Sequence, residues 1–303
     1  MNRTLLFAAA LLAATPALAR EPGTPAVMPS GATMGVPVGA NFPVPGFYLS
    51  SRSALVRGKV YDDTGTDTGQ SLDVNVTAVQ LHWTPGVEIL GGTYRAMGIM
   101  AFQDLDFAVG GTSVGKNTSV SDLTISPLNI HWMVAPGVFT TVGLGFSLPL
   151  GEFEPAGPGA GPNGGLGAPA LALNAGFSYL RDGWNLSADV NYFIHGENED
   201  TGYRSGNEVL ANFTAMRGFG ESGWSAGAIG YWRDQVSDDK NNGTAYGGFT
   251  AGRVKETAIG VAVAKRFGPT EIYADYTWNT HAENTVGADT FRLNITFPLG
   301  GKK

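Results

Sequence analysis

Ser187, Asp189 and His195 are the residue types of a serine-hydrolase triad, and they share one face of an alternating segment. On a single strand they are too spread out to react together. Residues two apart already lie about 7 Å apart by strand rise, and Ser187 to His195 is roughly four times that. An outer-membrane lipid hydrolase would have to complete its triad from neighbouring strands, for which the sequence gives no sign. Gly111-Thr112-Ser113-Val114-Gly115 matches GxSxG, but that motif exposes its serine only on a strand-to-helix elbow, and here it sits in a polar loop with no helix after it. Gly159-Ala160-Gly161-Pro162-Asn163-Gly164 matches GxGxxG with no βαβ unit around it, so it reads as a Gly/Pro loop. The four histidines, His82, His131, His195 and His281, lack zinc-ligand spacing. His195-Gly196-Glu197 with Glu199 and Asp200 could gather a metal in a loop, but a hydrogen-bonded lining or an exposed loop is the plainer reading. These patterns assign no catalytic residue, metal site or cofactor.

The chemistry that does emerge is that of a polar lining. In residues 183–195 an apolar set (Trp184, Leu186, Ala188, Val190, Tyr192, Ile194) alternates with Asn185, Ser187, Asp189, Asn191, Phe193 and His195. In 271–279, Ile272, Ala274, Tyr276 and Trp278 oppose Glu271, Tyr273, Asp275, Thr277 and Asn279. Near the C-terminus Phe291, Leu293, Ile295 and Phe297 oppose Arg292, Asn294 and Thr296, and Leu128, Ile130, Trp132 and Val134 oppose Asn129 and His131. Period two is strand geometry with one face in lipid and the other in a polar lumen. A Lys or Arg on the lipid face at mid-bilayer costs about 2–4 kcal/mol and an acid somewhat less, so Asp189, Asp275 and Arg292 belong inside. The lumen candidates are Asn129, His131, Asp189, Asn191, His195, Arg233, Glu271, Tyr273, Asp275, Arg292 and Asn294. Asp275 and Arg292, on consecutive strands, are expected to approach diagonally and form a charged constriction with Asp189, Asn191 and Asn294. Such rings set selectivity in pores, and the same pairs could equally brace the barrel interior.

The elements that would position these residues are about a dozen short alternating segments between Gly46 and Phe297. Tiny turns (Thr84-Pro85-Gly86, Ala135-Pro136-Gly137, Arg181-Asp182-Gly183, Gly268-Pro269-Thr270) alternate with long polar connections at 62–69, 110–119, 152–165, 196–208 and 237–246. Short on one side and long on the other is the threading of a transmembrane β-barrel. If the N-terminal segment is periplasmic, Trp83, Trp132, Tyr179, Trp184, Trp224, Phe267 and Phe297 fall beside the short turns as an aromatic girdle, with Trp232 and Trp278 at the opposite ends. Weaker strands are expected at 47–60, 87–102 and 207–217. Within 72–83 the apolar phase slips between Val76 and Val79, which suggests a bulge. The expected fold is a single all-β, antiparallel barrel of 12 strands over 46–298, between the side-chain-filled interior of 8 strands and the open channel of 16–18.

Residues 1–19 read as a secretory signal peptide: Arg3, an apolar run at 5–14, and Ala17-Leu18-Ala19 as the cleavage site. Maturation is expected near Arg20; export alone fits a soluble β protein or an outer-membrane barrel, and the strand and turn pattern points to the outer membrane of a Gram-negative cell. Residues 20–45 carry Pro22, Pro25, Pro29, Pro37, Pro43 and Pro45, which rules out an interior strand and leaves a linker, a periplasmic tail or a plug in the lumen. Residues 299–303 form a short tail. The chain has no cysteine, so neither disulfides nor an N-terminal lipid are available. Net charge is −7, and −8 without Arg3, which disfavours nucleic acid as a partner. Much of the acid falls in the long loops, as a solvated surface or as sites for divalent cations bridging to lipopolysaccharide. The remaining expected partners are membrane lipid, a small-molecule solute, and the barrel-assembly machinery through the C-terminal strand.

Several stretches together resemble the family named for the meta-pathway of phenol degradation. They are Ser121-Asp122-Leu123-Thr124-Ile125-Ser126-Pro127-Leu128 leading to Trp132, Leu148-Pro149-Leu150-Gly151-Glu152-Phe153, Thr201-Gly202-Tyr203-Arg204-Ser205-Gly206, and Gly230-Tyr231-Trp232-Arg233-Asp234-Gln235-Val236 before Asp238-Asp239. Ala258-Ile259-Gly260-Val261 departs from the pattern, where proline would follow the glycine. The resemblance implies an outer-membrane barrel that passes small hydrophobic or aromatic compounds, and it transfers no catalytic residue. A structural or adhesive barrel working through its acidic loops is the alternative.

Overall fold

The computed structural model describes residues 20–155 and 161–300; the expected signal peptide, part of the glycine–proline motif and the last three residues lie outside the described residues. Twelve long strands make the wall: β1 (Gly46–Tyr61), β2 (Asp67–Thr84), β3 (Gly92–Val109), β4 (Leu123–Ala135), β5 (Val138–Leu148), β6 (Ala170–Tyr179), β7 (Trp184–His195), β8 (Glu208–Gly218), β9 (Trp224–Gln235), β10 (Lys255–Phe267), β11 (Thr270–Glu283) and β12 (Thr285–Pro298). Each pairs antiparallel with its chain neighbours, and β1 pairs with β12 from Tyr48–Pro298 to Tyr61–Thr285, so the sheet closes. Closure leaves no unpaired edge in lipid, where an unsatisfied backbone group costs several kcal/mol.

The short-side turns are built from residues that tolerate left-handed backbone. Asp182 (φ 53) and Gly183 (φ 78) form the tight link between β6 and β7, and the Trp184 N–H closes on the Arg181 carbonyl at 2.8 Å. On the outer wall the aromatic residues cluster where β-strands enter those turns. Phe47 stacks on Trp83 at 6.3 Å, Trp83 meets Tyr94 edge-on at 6.2 Å, and the guanidinium of Arg217 lies 5.0 Å from the Trp184 ring. Cations over interfacial rings suit the boundary between acyl chains and water.

The wall is uneven in height. Strands β1–β3 have 16, 18 and 18 residues, whereas β5–β8 have 11, 10, 12 and 11. About 9–11 residues suffice to cross, so the tall side projects roughly 20 Å beyond the bilayer by strand rise. Its outer face there is charged, with ion pairs Lys59–Asp67 at 2.8 Å, Lys116–Asp106 at 3.0 Å and Arg57–Asp73 at 3.4 Å.

Two expectations are corrected. The stretch 110–119, read as a polar loop, is a hairpin: Gly110-Gly111 turns the chain and Thr112–Val120 pairs with β3 from Val109 back to Phe102. One face is exposed and the other packs Asn117 and Ser119 against residues 161–164, but both faces are mostly polar, so no apolar alternation marks the strand in the sequence. The Ser of the GxSxG match donates to Asp106 at 2.5 Å on this hairpin. Nor is there a bulge at Val76–Val79: β2 keeps continuous register with β1 from Ser71 to Thr84 and with β3 from Gln70 to Trp83. The apolar phase changes because the inner face is itself apolar there, so Val79 faces lipid while Val76 faces the lumen.

Candidate functional site

Residues 20–45 run inside the barrel from the long-loop end to the start of β1 as a chain of tight turns, closed by bonds such as Ala32 N–H to Pro29 O (3.2 Å) and Val36 N–H to Thr33 O (3.2 Å). With so few internal partners, the segment satisfies its backbone on the wall. The Gly39 N–H donates to Ser178 (2.9 Å), the Gly35 N–H to Thr214 (2.8 Å) and the Gly31 N–H to Asn212 (3.0 Å). In return the Asn185 amide donates to the Gly35 carbonyl (3.2 Å), and Arg52 and Arg233 donate to the carbonyls of Ala32 and Met28. Gly35 (φ 80) passes so close to Tyr273 that a Cβ there would fall 2.0 Å from the ring.

Five of the eleven predicted lumen residues, His131, Asp189, Arg233, Tyr273 and Arg292, meet this segment. His131 Nδ1 lies 3.1 Å from the Gly39 carbonyl, and Thr33 donates to Asp189 at 2.5 Å, with Asn191 and Asn212 donating to the other carboxylate oxygen. Arg292 donates to Asp275 (2.8 Å), Thr277 (3.2 Å) and the Ser30 carbonyl (3.0 Å). Asp275 stands directly opposite Arg292 in the ladder, not diagonally as expected, because β11 and β12 pair in unbroken register from Glu271–Thr296 to Thr277–Thr290. Asn129 bonds within the wall, to the Arg95 and Ser126 carbonyls at 3.3 and 3.4 Å, where two register shifts flank Pro127. Asn294 sits opposite Arg52. Glu271 lies apart from the others, paired with Arg266 at 2.9 Å beside the short turn. Ser187 bonds to Ser178 and Asn185, and His195 faces Glu208 at 3.5 Å, so the triad residue types are not brought together.

Sequence reasoning missed the strongest anchor. Arg20 forks onto Glu208 through Nε (2.5 Å) and Nη2 (2.7 Å), and Arg233 Nε lies 3.6 Å from the same carboxylate. Glu256 accepts from Tyr231 (2.5 Å) and Ser30 (2.9 Å). The available signal was phase: Glu208, Arg233 and Glu256 all fall on the inward set of their strands, yet a glutamate next to a loop looks like surface. Above them the loops form a buried network in which Asp239 accepts from Tyr203, Gln235 (2.7 Å) and the Gly206 N–H (2.6 Å). Burial pushes the Asp239 carboxyl above the usual range despite those donors.

The lumen is therefore two-sided. Arg52 reaches the segment, and Ala78 and Ala101 lie beside it in register, so they share its inward face. Alternation carries Ala54, Val56, Val74, Val76, Met97 and Ile99 to the same face, all half-buried. The inner surface of β1–β3 thus carries an apolar lane interrupted by Arg52, Gln80 and Gln103, while the segment lies against β6–β12 through the polar contacts above and through an apolar cluster in which Met34 packs with Phe193, Leu210, Met216 and Ile229. At the short-turn end Phe42 closes the gap, stacked on Tyr48 at 3.9 Å, edge-on to His82 at 5.2 Å and under the Arg95 guanidinium at 5.6 Å.

The model of the family described as "Putative MetA-pathway of phenol degradation" matches residues 57–295. No curated protein matches the chain. Among solved structures, the COG4313 outer membrane channel from Pseudomonas putida F1 is similar with a TM-score of 0.74 and 14% identity, over 86% of this chain and 97% of that one. The translocator domain of the autotransporter NalP from Neisseria meningitidis is similar with a TM-score of 0.51 and 11% identity, over 84% and 88%. At these identities the likeness is one of fold, that of outer-membrane barrels.

Proposed function

We propose that this chain, which belongs to the family of the MetA pathway of phenol degradation, is an outer-membrane channel for passive uptake of small hydrophobic and aromatic molecules, gated by its residues 20–45. The observation that carries this is the apolar lane on β1–β3, half-buried side chains facing a lumen whose other wall is already covered by residues 20–45. A pore for ions or sugars gains nothing from valine, isoleucine and methionine there, whereas an uncharged ring gains about 25 cal/mol for each Å² of apolar surface it hides from water. The similar channel from Pseudomonas putida supports the reading at the level of fold. In the same reading the charged outer face of the tall side meets lipopolysaccharide through divalent cations, and the C-terminal strand with Phe291, Leu293, Ile295 and Phe297 outward engages the barrel-assembly machinery. The role needs no catalytic group.

Putting acid into the lane tests this. Val76→Asp with Ile99→Asp should reduce the flux of toluene across the outer membrane of intact cells that lack the native chain at least several-fold, while leaving small-ion conductance in planar bilayers equal or higher. Unchanged toluene flux in a folded double variant would remove the lane from the permeation path.

A further inference from the structure

At the long-loop end the Glu21 carboxylate is held entirely by neutral donors. Asn198 Nδ2 donates at 2.8 Å to one oxygen, and Thr201 Oγ1 at 2.6 Å and the Tyr246 hydroxyl at 2.9 Å donate to the other. Glu21 is 2% exposed, Asn198 0% and Thr201 4%, while Tyr246 is half-buried, so water can reach the seat only from the Tyr246 side. These donors are aimed by their own loops and not by Glu21. The Asn198 Oδ1 accepts the Asp200 N–H at 3.0 Å, which fixes the amide with its NH2 toward the carboxylate. The Asn198 N–H bonds the Tyr203 carbonyl (2.8 Å), and the Tyr203 hydroxyl is tied to Asp239 and to the Ala251 N–H (3.0 Å). Tyr203 in turn packs edge-to-face on Tyr246, rings 5.9 Å apart at 81°. A preorganised set of three donors beside two aromatic rings persists when Glu21 withdraws, and buried donors left without an acceptor are costly.

We infer that the Glu21 seat is a binding site for the carboxylate of a small aromatic acid arriving from the long-loop side, and that Glu21 is its built-in competitor. The inference rests on the channel reading and names a substrate class for it. Ligand and Glu21 need the same three donors, so occupancy is mutually exclusive. By linkage, the ligand weakens the hold on residues 20–24 by the factor with which Glu21 weakens the ligand. The first turn of the segment, closed by the Thr24 N–H on the Glu21 carbonyl at 3.0 Å, is the part that must yield.

Benzoate is the probe, with benzyl alcohol as a neutral ring of similar size, titrated calorimetrically into the full-length protein in detergent. Glu21→Ala should bind benzoate at least tenfold more tightly than the unsubstituted chain, with no such gain for benzyl alcohol, and adding Thr201→Val should reverse most of it. Glu21→Gly, which also vacates the seat, replaces Glu21→Ala if that variant fails to fold. Equal benzoate binding by both proteins, or a gain shared by benzyl alcohol, would overturn the inference. The toluene flux through the apolar lane would stand regardless, so failure here is distinguishable from failure of the channel reading.

Discussion

Removing residues 22–40 from the chain should turn a nearly silent protein into a steadily conducting pore, with single-channel conductance in planar bilayers rising several-fold and its fluctuations lost. Twelve strands enclose more room than their own inward side chains fill. In this chain the excess is filled by the segment, whose Gly31, Gly35 and Gly39 N–H groups bond the wall. Deletion exposes Asp189, Asp275 and Arg292 to water, and charged groups that regain solvent lose little. The barrel itself should persist, because its closure between β1 and β12 involves no residue before Gly46. A deletion variant that folds with unchanged conductance would show that the segment does not limit the pore.

The second large effect concerns Glu208. It is 1% exposed and faces Arg20 and Arg233, themselves 5% and 2% exposed. Glu208→Ala leaves two guanidinium groups buried around a lost carboxylate, and breaking a buried pair in this way costs about 3–5 kcal/mol. The loss should appear as a lower urea midpoint for unfolding from lipid vesicles. Substituting Arg20→Leu together with Glu208→Leu should recover part of it, because one of the two stranded guanidiniums then leaves with the carboxylate, while Arg233 keeps only the Met28 carbonyl as a partner. A cost below about 1 kcal/mol for Glu208→Ala would mean that water reaches the cluster and screens it.

How much of this was written legibly in the chain follows from where each residue meets its solvent. β7, β11 and β12 alternate cleanly because lipid and a polar lumen press on opposite faces, so Asp189, Asp275 and Arg292 could be turned inward from sequence. The sorting of Trp83, Trp132, Trp184 and Trp224 to the short-turn side follows from the same two solvents. Where both faces meet one kind of surroundings the signal fades. The hairpin strand Thr112–Val120 is mostly polar on both faces and read as loop, while β2 is apolar on both near Val76 and Val79 and read as a bulge. The path of residues 20–45 was illegible for another reason. Its Gly and Pro residues specify turns, but its partners are Ser178, Thr214, Asn212 and Glu208, hundreds of atoms away along the chain, and no local pattern announces a contact with them.

The central claim is that the chain's own N-terminal segment occupies the lumen against the wall of β6–β12. The native chain has no cysteine, so a single engineered pair reports on this without background. Thr33→Cys with Asp189→Cys replaces two side chains that touch at 2.5 Å from opposite partners of the proposed contact. The expected result is a disulfide formed in intact cells, a protein that conducts only at the closed level, and a rise in conductance when reductant is added. No crosslink, with both thiols freely modified by a small water-soluble reagent, would contradict the account.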